Sequence, residues 1–208
     1  MYKYKTEPFK HQRQSLMEGA KPHNFAYFME MGTGKTKVAI DNAAYLFQDQ
    51  KIDYVFVIAP NSVYQNWKKE IDIHCPEETN IYIWKVTKDK TFKMDVKKLT
   101  YVLMNVEALS HASGKKWLES KLQKHGMRSM IILDESTSIK NLKASRTKAI
   151  IKLGQLARYK RILTGSPITK SPLDLFSQCA FLDKKLLGYE SFTVFKSKYA
   201  VMFSIERG

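Results

Sequence analysis

The sequence predicts a doubly wound α/β fold in which a mainly parallel sheet carries helices on both faces. Apolar runs of strand length alternate with longer amphipathic stretches along the chain. Several runs, such as Tyr54–Ala59, are continuously apolar, which is typical of parallel strands covered on both faces. The 208 residues, 44% of them hydrophobic, are enough for one domain with a buried core.

The elements follow from these runs in chain order. Strands are predicted at Phe25–Met29, Tyr54–Ala59, Ile81–Lys85, Tyr101–Asn105, Met130–Leu133 and Arg161–Thr164. Helices are predicted at Lys35–Gln48, Ser62–Ile73, Lys115–Lys124, Ser145–Ala157 and Leu173–Phe181. After residue 182 the pattern weakens, and no further strand is predicted.

Composition and charge exclude several classes of protein. No apolar run approaches the ~18 residues of a membrane span, and the N-terminus lacks the apolar core of a signal peptide. Cys75 and Cys179 cannot build a disulfide framework or a four-cysteine zinc site. We therefore expect a soluble, cytoplasmic chain with no membrane partner, although a nuclear location would also fit. The net charge of +15 is compatible with a polyanionic partner or with a general lysine bias.

The segment MEMGTGKT is predicted to be a phosphate-binding loop, because it follows one predicted strand and opens a predicted helix. Its two glycines allow a tight turn with backbone N–H groups directed at phosphate oxygens. Lys35 would reach the β- and γ-phosphates of ATP, and Thr36 would ligate Mg²⁺. Met29 stands where the usual pattern has its first glycine. The residues assigned to the nucleotide are Gly32, Thr33, Gly34, Lys35 and Thr36.

Asp134 and Glu135 lie at the end of an apolar run, at the edge where ligands bind in α/β sheets. We expect Asp134 to hold Mg²⁺ through water, and Glu135 to polarise the attacking water. Such a pair alone could be a surface turn, but it follows a phosphate-binding loop. The adjacent glutamate favours hydrolysis over phosphoryl transfer to a small molecule.

LTGSP ends the next predicted strand. Thr164 and Ser166, with Gly165 between them, could hydrogen-bond toward the γ-phosphate or the acidic pair and so couple nucleotide state to movement. Taken alone, the segment would be interpreted as a plain turn.

Together these segments resemble the first RecA-like lobe of superfamily 2 helicases, in the Swi/Snf-related branch of double-stranded DNA translocases. The resemblance covers about residues 7–182 and rests on the order of the blocks PFKHQ, MGTGKT, VIAPNSVYQNWKKEI, VLMNVEAL, DESTSIKN and LTGSPITKSPLDLF. The branch more often has histidine where Thr137 stands, so the usual link from that position to the LTGSP motif is expected to be altered. Lys170 also lies where asparagine is usual. A compact bacterial or phage member would fit these departures.

The resemblance implies further contacts. The amide of Gln12 matches the N6/N7 edge of adenine. Phe9 or Lys10 either packs on the base or starts a helix. Trp67 fits the core better than a base-stacking platform, because it lies one helical turn after Val63. The candidates for nucleic-acid contact are Pro60, Asn61, Ser62, Asn105, Glu107 and Lys140.

The run Lys140–Arg161 contains basic residues and no acidic one. It is either a solvated helix face or a surface for duplex DNA, and the sequence favours neither.

Residues 1–182 are expected to form the ATP-binding lobe, and residues 183–208 the start of a helical connector to a second RecA-like lobe. The resemblance implies that the second lobe supplies arginine fingers, an effect of roughly 10³–10⁵ in rate in related NTPases. The predicted function is the ATP-binding lobe of an ATP-dependent double-stranded DNA translocase, with ATP and Mg²⁺ as cofactors and poor turnover on its own. The disfavoured alternatives are a DEAD-box-like RNA helicase lobe, a DNA-binding module with a degenerate phosphate loop, and a compact P-loop kinase.

Overall fold

The computed structural model describes residues 2–86, 97–189 and 191–200, apart from the side chains of Ser62 and Tyr64. The strands are β1 (Asn24–Phe28), β2 (Tyr54–Ala59), β3 (Thr79–Ile83), β4 (Leu99–Asn105), β5 (Ser129–Asp134) and β6 (Tyr159–Thr164). The helices are α1 (Lys10–Gly19), α2 (Lys35–Gln48), α3 (Asn61–His74), α4 (Ala112–His125), α5 (Ser145–Gly154), α6 (Asp174–Leu182) and α7 (Phe192–Tyr199). Short 3₁₀ helices occupy Val106–Ser110, Gly126–Arg128 and Ser136–Ile139.

The strands form one six-stranded sheet in the order β1-β6-β5-β2-β4-β3, and every pairing is parallel. Parallel neighbours need crossover connections, which the helices provide. The predicted doubly wound α/β fold is therefore confirmed.

Both faces of the sheet are covered by helices, which explains the continuous apolar runs. Successive side chains of β2 point to opposite faces. Val55 and Val57 pack in the core that includes Leu16, Ile40 and Trp67 of α1, α2 and α3. Their neighbours Tyr54, Phe56 and Ile58 pack in a second core, against Leu118, Ile150 and Phe181 of α4, α5 and α6. All six β2 residues are consequently buried.

The boundaries of α2 and β2 match their predictions, and β3 begins two residues earlier than predicted. Helix α1 was not predicted, because its sequence KHQRQSLMEG has few apolar residues and buries only Gln12, Leu16 and Gly19. Helix α7 lies in the segment expected to connect to a second lobe, and residues 201–208 of that segment lie outside the described residues. No helix in the described ranges is long and apolar enough to cross a membrane.

The register places the ends of five strands along one edge of the sheet. Phe28 of β1 pairs with Thr164 of β6, and Asp134 of β5 pairs with Leu163 of β6. On the other side of β5, Ala59 of β2 pairs with Asn105 of β4. The segments singled out from the sequence follow these strand ends, so the fold arranges them in a row.

Candidate nucleotide site

The phosphate loop joins β1 to α2 and has the backbone that its glycines predict. Gly32 and Gly34 both adopt left-handed backbone angles, with φ of 77° and 85°. The ammonium of Lys35 donates to the carbonyls of Met29 and Glu30, at 3.0 Å each. The Thr33 hydroxyl donates to the Glu30 carbonyl at 2.7 Å. The loop therefore curls around the Lys35 ammonium at the N-terminus of α2, an arrangement suited to phosphate.

Gln12 braces this loop from α1. Its Nε2 donates to the Thr33 carbonyl at 2.9 Å, and its Oε1 accepts from the Phe9 N–H at 3.0 Å. A Cβ on Gly34 would lie 2.3 Å from the Gln12 Nε2, so any other residue here would displace the Gln12 side chain as well as adopt a left-handed backbone. The amide expected to pair with adenine thus has protein partners at both ends in this structure. The exposed Phe9 ring stacks on His11, with 5.9 Å between ring centroids.

The acidic pair ends β5, as predicted. Asp134 is only 4% exposed, and its Oδ2 accepts a 2.7 Å hydrogen bond from the indole Nε1 of Trp67 on α3. Its Oδ1 accepts from the Glu135 N–H at 2.9 Å. Burial raises the pKa of the Asp134 carboxyl, the Trp67 hydrogen bond opposes that rise, and the charge of Glu135 adds to it.

Glu135 has φ 50° and ψ 60°, left-handed angles that are uncommon and strained for a residue with a Cβ. The side chain of this residue lines the same cleft as the phosphate loop. The turn out of β5 is therefore held in a shape that a free chain would rarely adopt.

One cleft of about 340 Å³ brings the two motifs together. It is lined by Met31, Gly32, Gly34, Lys35, Thr36, Val63, Asn66, Glu70, Asp134 and Glu135. The α3 residues in this set were not predicted for the nucleotide site, although Val63, Asn66 and Glu70 recur at helical spacing and so share a face. Trp67, on the same helix, is fully buried, which confirms its interpretation as a core residue.

The donor set of this cleft fits ATP with Mg²⁺. A carboxylate and a threonine hydroxyl are oxygen ligands of the kind that Mg²⁺ prefers, and Asp134 and Thr36 both line this cleft. Lys35 and the N–H groups of the loop supply the positive charge for phosphates.

The turn after β6 abuts the phosphate loop. A Cβ on Gly165 would lie 3.2 Å from the backbone nitrogen of Met31, closer than most such contacts. The Thr164 hydroxyl is buried and accepts from the Ser166 N–H at 3.2 Å, while the Ser166 side chain is exposed. A shift of the phosphate loop would therefore displace this turn.

Three of the candidates for nucleic-acid contact line one cleft. Asn61 and Asn105 line a second cleft, of about 360 Å³, on the same sheet edge, together with Glu107. The Asn105 Oδ1 caps the following 3₁₀ helix by accepting from the Glu107 N–H at 2.9 Å. Pro60 precedes α3 as its N-cap, and the side chain of Ser62 lies outside the described residues.

The basic run does not form one continuous surface, because its last two residues are buried. Arg161 is fully buried and donates to the Asn42 Oδ1 at 2.7 Å and to backbone carbonyls. Lys160 is also buried, and its Nζ donates to Gln155. Lys140 forms an ion pair with Asp174 at 3.5 Å and hydrogen-bonds Thr169, so its charge is neutralised within the chain.

The sheet, the phosphate loop and the acidic pair define a RecA-like P-loop nucleotide-binding lobe. The SNF2-related domain family model matches residues 17–206. The chain belongs to this family, and it corresponds to the N-terminal RecA-like lobe of the Snf2 branch of superfamily 2.

Curated relatives support the same assignment. The chain is 31% identical over 171 residues to a SWI/SNF-related matrix-associated actin-dependent regulator of chromatin subfamily A-like protein 1 homolog of Caenorhabditis elegans. That match covers 82% of this chain and 23% of the relative. The chain is also 30% identical over 181 residues to the chromatin-remodeling ATPase INO80 of Debaryomyces hansenii, and this match covers 81% of the chain and 13% of the relative. The chain thus spans less than a quarter of these relatives.

Two solved structures share the fold. The Sulfolobus solfataricus SWI2/SNF2 ATPase core in complex with dsDNA superposes with a TM-score of 0.75 at 25% identity, covering 96% of this chain and 40% of that one. A nuclease-deletion mutant of the Type ISP restriction-modification enzyme LlaGI, in complex with a DNA substrate mimic, superposes with a TM-score of 0.57 at 10% identity. The second match covers 79% of this chain and 18% of that one, and it shows the fold alone.

Proposed function

We propose that this chain is the ATP-binding lobe of an ATP-driven double-stranded DNA translocase, in which a second RecA-like lobe completes the site for hydrolysis. The observation that carries the proposal is the single cleft that joins Lys35 and Thr36 of the phosphate loop to Asp134 and Glu135. Phosphate recognition, an oxygen ligand set and a candidate base converge there from β1, β5 and α2.

Each of these residues has a distinct task. Lys35 holds the β- and γ-phosphates with a mobile point charge. Thr36 and Asp134 hold Mg²⁺, which when bound neutralises charge on the phosphates. Glu135 accepts a hydrogen bond from the attacking water and takes its proton as the bond from water oxygen to γ-phosphorus forms. ADP leaves with the bridging oxygen, and inorganic phosphate is released.

The layout of the sheet edge supports DNA as the partner. Asn61 follows the end of β2 and Asn105 ends β4, one and two strands from β5. At about 4.8 Å per strand, the ends of β2 and β4 lie roughly 5 and 10 Å along the edge from that of β5. Backbone N–H groups at the start of α3 can hold a phosphate of the duplex. DNA is part of the Sulfolobus complex, which has the same fold.

The first test is nucleotide binding by Lys35→Ala, with Lys68→Ala as a control, because Lys68 is exposed on α3 outside the cleft. We expect Lys35→Ala to lose ATP binding and to keep DNA binding, while Lys68→Ala keeps both. ATP affinity that survives Lys35→Ala would refute the phosphate-loop assignment.

The second test uses the full-length protein. ATP hydrolysis is measured with double-stranded DNA, single-stranded DNA and RNA side by side. We expect stimulation chiefly by the duplex, and Glu135→Gln should bind ATP without turnover. Stimulation chiefly by RNA would favour an RNA helicase, and retained hydrolysis in Glu135→Gln would remove Glu135 from the mechanism.

A further inference from the structure

A chain of buried hydrogen bonds runs from the acidic pair to the turn after β6. The hydroxyl of Ser136, the residue after Glu135, donates to the Oε1 of Gln178 on α6 at 2.5 Å. The Nε2 of Gln178 donates to the carbonyl of Pro167 at 2.7 Å. Ser136 and Gln178 are both fully buried, so the hydrogen bond between them is shielded from water.

The orientation of the Gln178 amide is fixed by its partners. Its second N–H donates to the Asp174 carbonyl at 2.8 Å, within α6. Carbonyls can only accept, so Nε2 must face Pro167 and Asp174, and Oε1 must face the Ser136 hydroxyl. Every polar group of the amide is therefore satisfied, and a rotation of the side chain would break all of these bonds together.

Both ends of this series of hydrogen bonds adjoin the nucleotide site. Ser136 is bonded directly to Glu135, whose left-handed backbone persists only if its surroundings hold it. Pro167 closes the turn in which Gly165 touches the phosphate loop at Met31. A second polar link joins the same two regions, because Asp174 of α6 forms an ion pair with Lys140, which follows the 3₁₀ helix Ser136–Ile139.

We propose that Gln178 is a positioning residue that fixes the backbone of Glu135 relative to the turn after β6, and thereby aims the Glu135 carboxylate for hydrolysis. The proposal rests on the proposed function and adds a residue to it. Gln178 is not among the residues that line the nucleotide cleft; it acts through Ser136 on one side and Pro167 on the other.

The test is the apolar replacement Ser136→Ala/Gln178→Leu in the full-length protein. Leucine has about the volume of glutamine, and alanine removes the hydroxyl that would otherwise be left without an acceptor. We expect near-normal thermal unfolding and an ATP KM within about twofold of the unchanged protein, with DNA-stimulated kcat lowered about tenfold or more. A role in stability alone predicts that a well-folded double variant keeps its kcat, and that result would overturn the proposal.

Two further variants keep the test decisive. Ser136→Ala alone breaks the chain at its first bond and should lower kcat about threefold or more at constant KM; an unchanged kcat would contradict the proposal even if the double variant unfolds. Gln155→Leu is the matched control, because Gln155 also bonds α6, at the Phe181 carbonyl, but far from the acidic pair. It should leave kcat unchanged.

The outcome is separable from that of the proposed function. If Lys35→Ala abolishes hydrolysis while Ser136→Ala/Gln178→Leu retains full kcat, only the role of Gln178 fails. If Lys35→Ala hydrolyses ATP normally, the proposed function itself fails.

Discussion

The contact between Gly34 and Gln12 gives a quantitative prediction, because a Cβ at residue 34 would collide with the Gln12 amide at 2.3 Å. Gly34→Ala has two costs. A left-handed alanine is strained by about 1 kcal/mol, and displacing Gln12 breaks its two hydrogen bonds, at about 1 kcal/mol each. We therefore expect Gly34→Ala to lower the free energy of unfolding by about 3 kcal/mol in total.

Two companion variants separate these costs. Gly32→Ala has a similar left-handed φ but no atom within 4 Å of the new Cβ, so it should cost only about 1 kcal/mol. Gln12→Ala removes the same two hydrogen bonds without strain and should cost about 2 kcal/mol. Because Gln12→Ala also clears the collision, Gly34→Ala/Gln12→Ala should cost about 3 kcal/mol rather than the additive ~5 kcal/mol.

The assay is urea unfolding of all four variants and the unchanged chain, with thermal unfolding as a check. The expected coupling of about 2 kcal/mol is well above the ~0.5 kcal/mol within which independent sites add. An additive double variant would show that Gln12 does not occupy the space that Gly34 leaves, and would refute the described bracing of the phosphate loop.

Further predictions concern buried polar groups. Arg161→Met removes five hydrogen bonds of a fully buried guanidinium and should cost about 2–4 kcal/mol in urea unfolding; a loss below about 1 kcal/mol would contradict the hydrogen bonds described. Burial raises the pKa of the Asp174 carboxyl, but hydrogen bonds from the backbone N–H groups of Lys170 and Thr169 outweigh burial and lower this pKa to about 2. Because this pKa is lower in the folded state than in the unfolded state, the ionised carboxylate stabilises the fold above about pH 4, and the free energy of unfolding should fall between about pH 4 and pH 2. Asp174→Asn should show a shallower fall over this range in acid unfolding, and an equally steep fall would argue against the role of Asp174. Trp67→Phe removes a hydrogen bond worth about 1.5–3 kcal/mol to the Asp134 carboxylate and should raise the Mg²⁺ concentration needed for hydrolysis by the full-length protein. Trp117→Phe, on the opposite face of the sheet, should not, and an equal shift in both variants would argue against a specific role.

The sequence predicted those features that depend on local pattern. Helix α2 begins at Lys35 as predicted, because the glycines before it and the amphipathic stretch after it give independent signals. The strand β2 is equally clear, since a run of six apolar residues has few alternatives next to a turn at Pro60. The phosphate loop and the acidic pair were predicted on separate strands, and the parallel register brings them into one cleft.

The missed features depend on contacts between distant residues. Trp67 and Asp134 are 67 positions apart, and Ser136 and Gln178 are 42 apart, so no local spacing reveals either pair. Gln178 lies in the mostly apolar helix α6, and its polarity there was the only available signal. The sequence left the basic run undecided between a solvated face and a DNA surface, because charge in a sequence does not show that Arg161 points into the core.

The position of β1 also sets the order in which the molecule can be assembled during synthesis. Within the described residues β1 is an edge strand paired with β6 alone, Asn24 opposite Lys160, and Arg161 of β6 donates hydrogen bonds to the carbonyls of Gly19 and His23 nearby. The central strands can pair while the chain is still emerging, but the first strand must wait for the last. At translation rates of about 5–20 residues per second, that delay is on the order of ten seconds. The nucleotide site is therefore the final part of the nascent lobe to form, although its loop is among the first segments to be made.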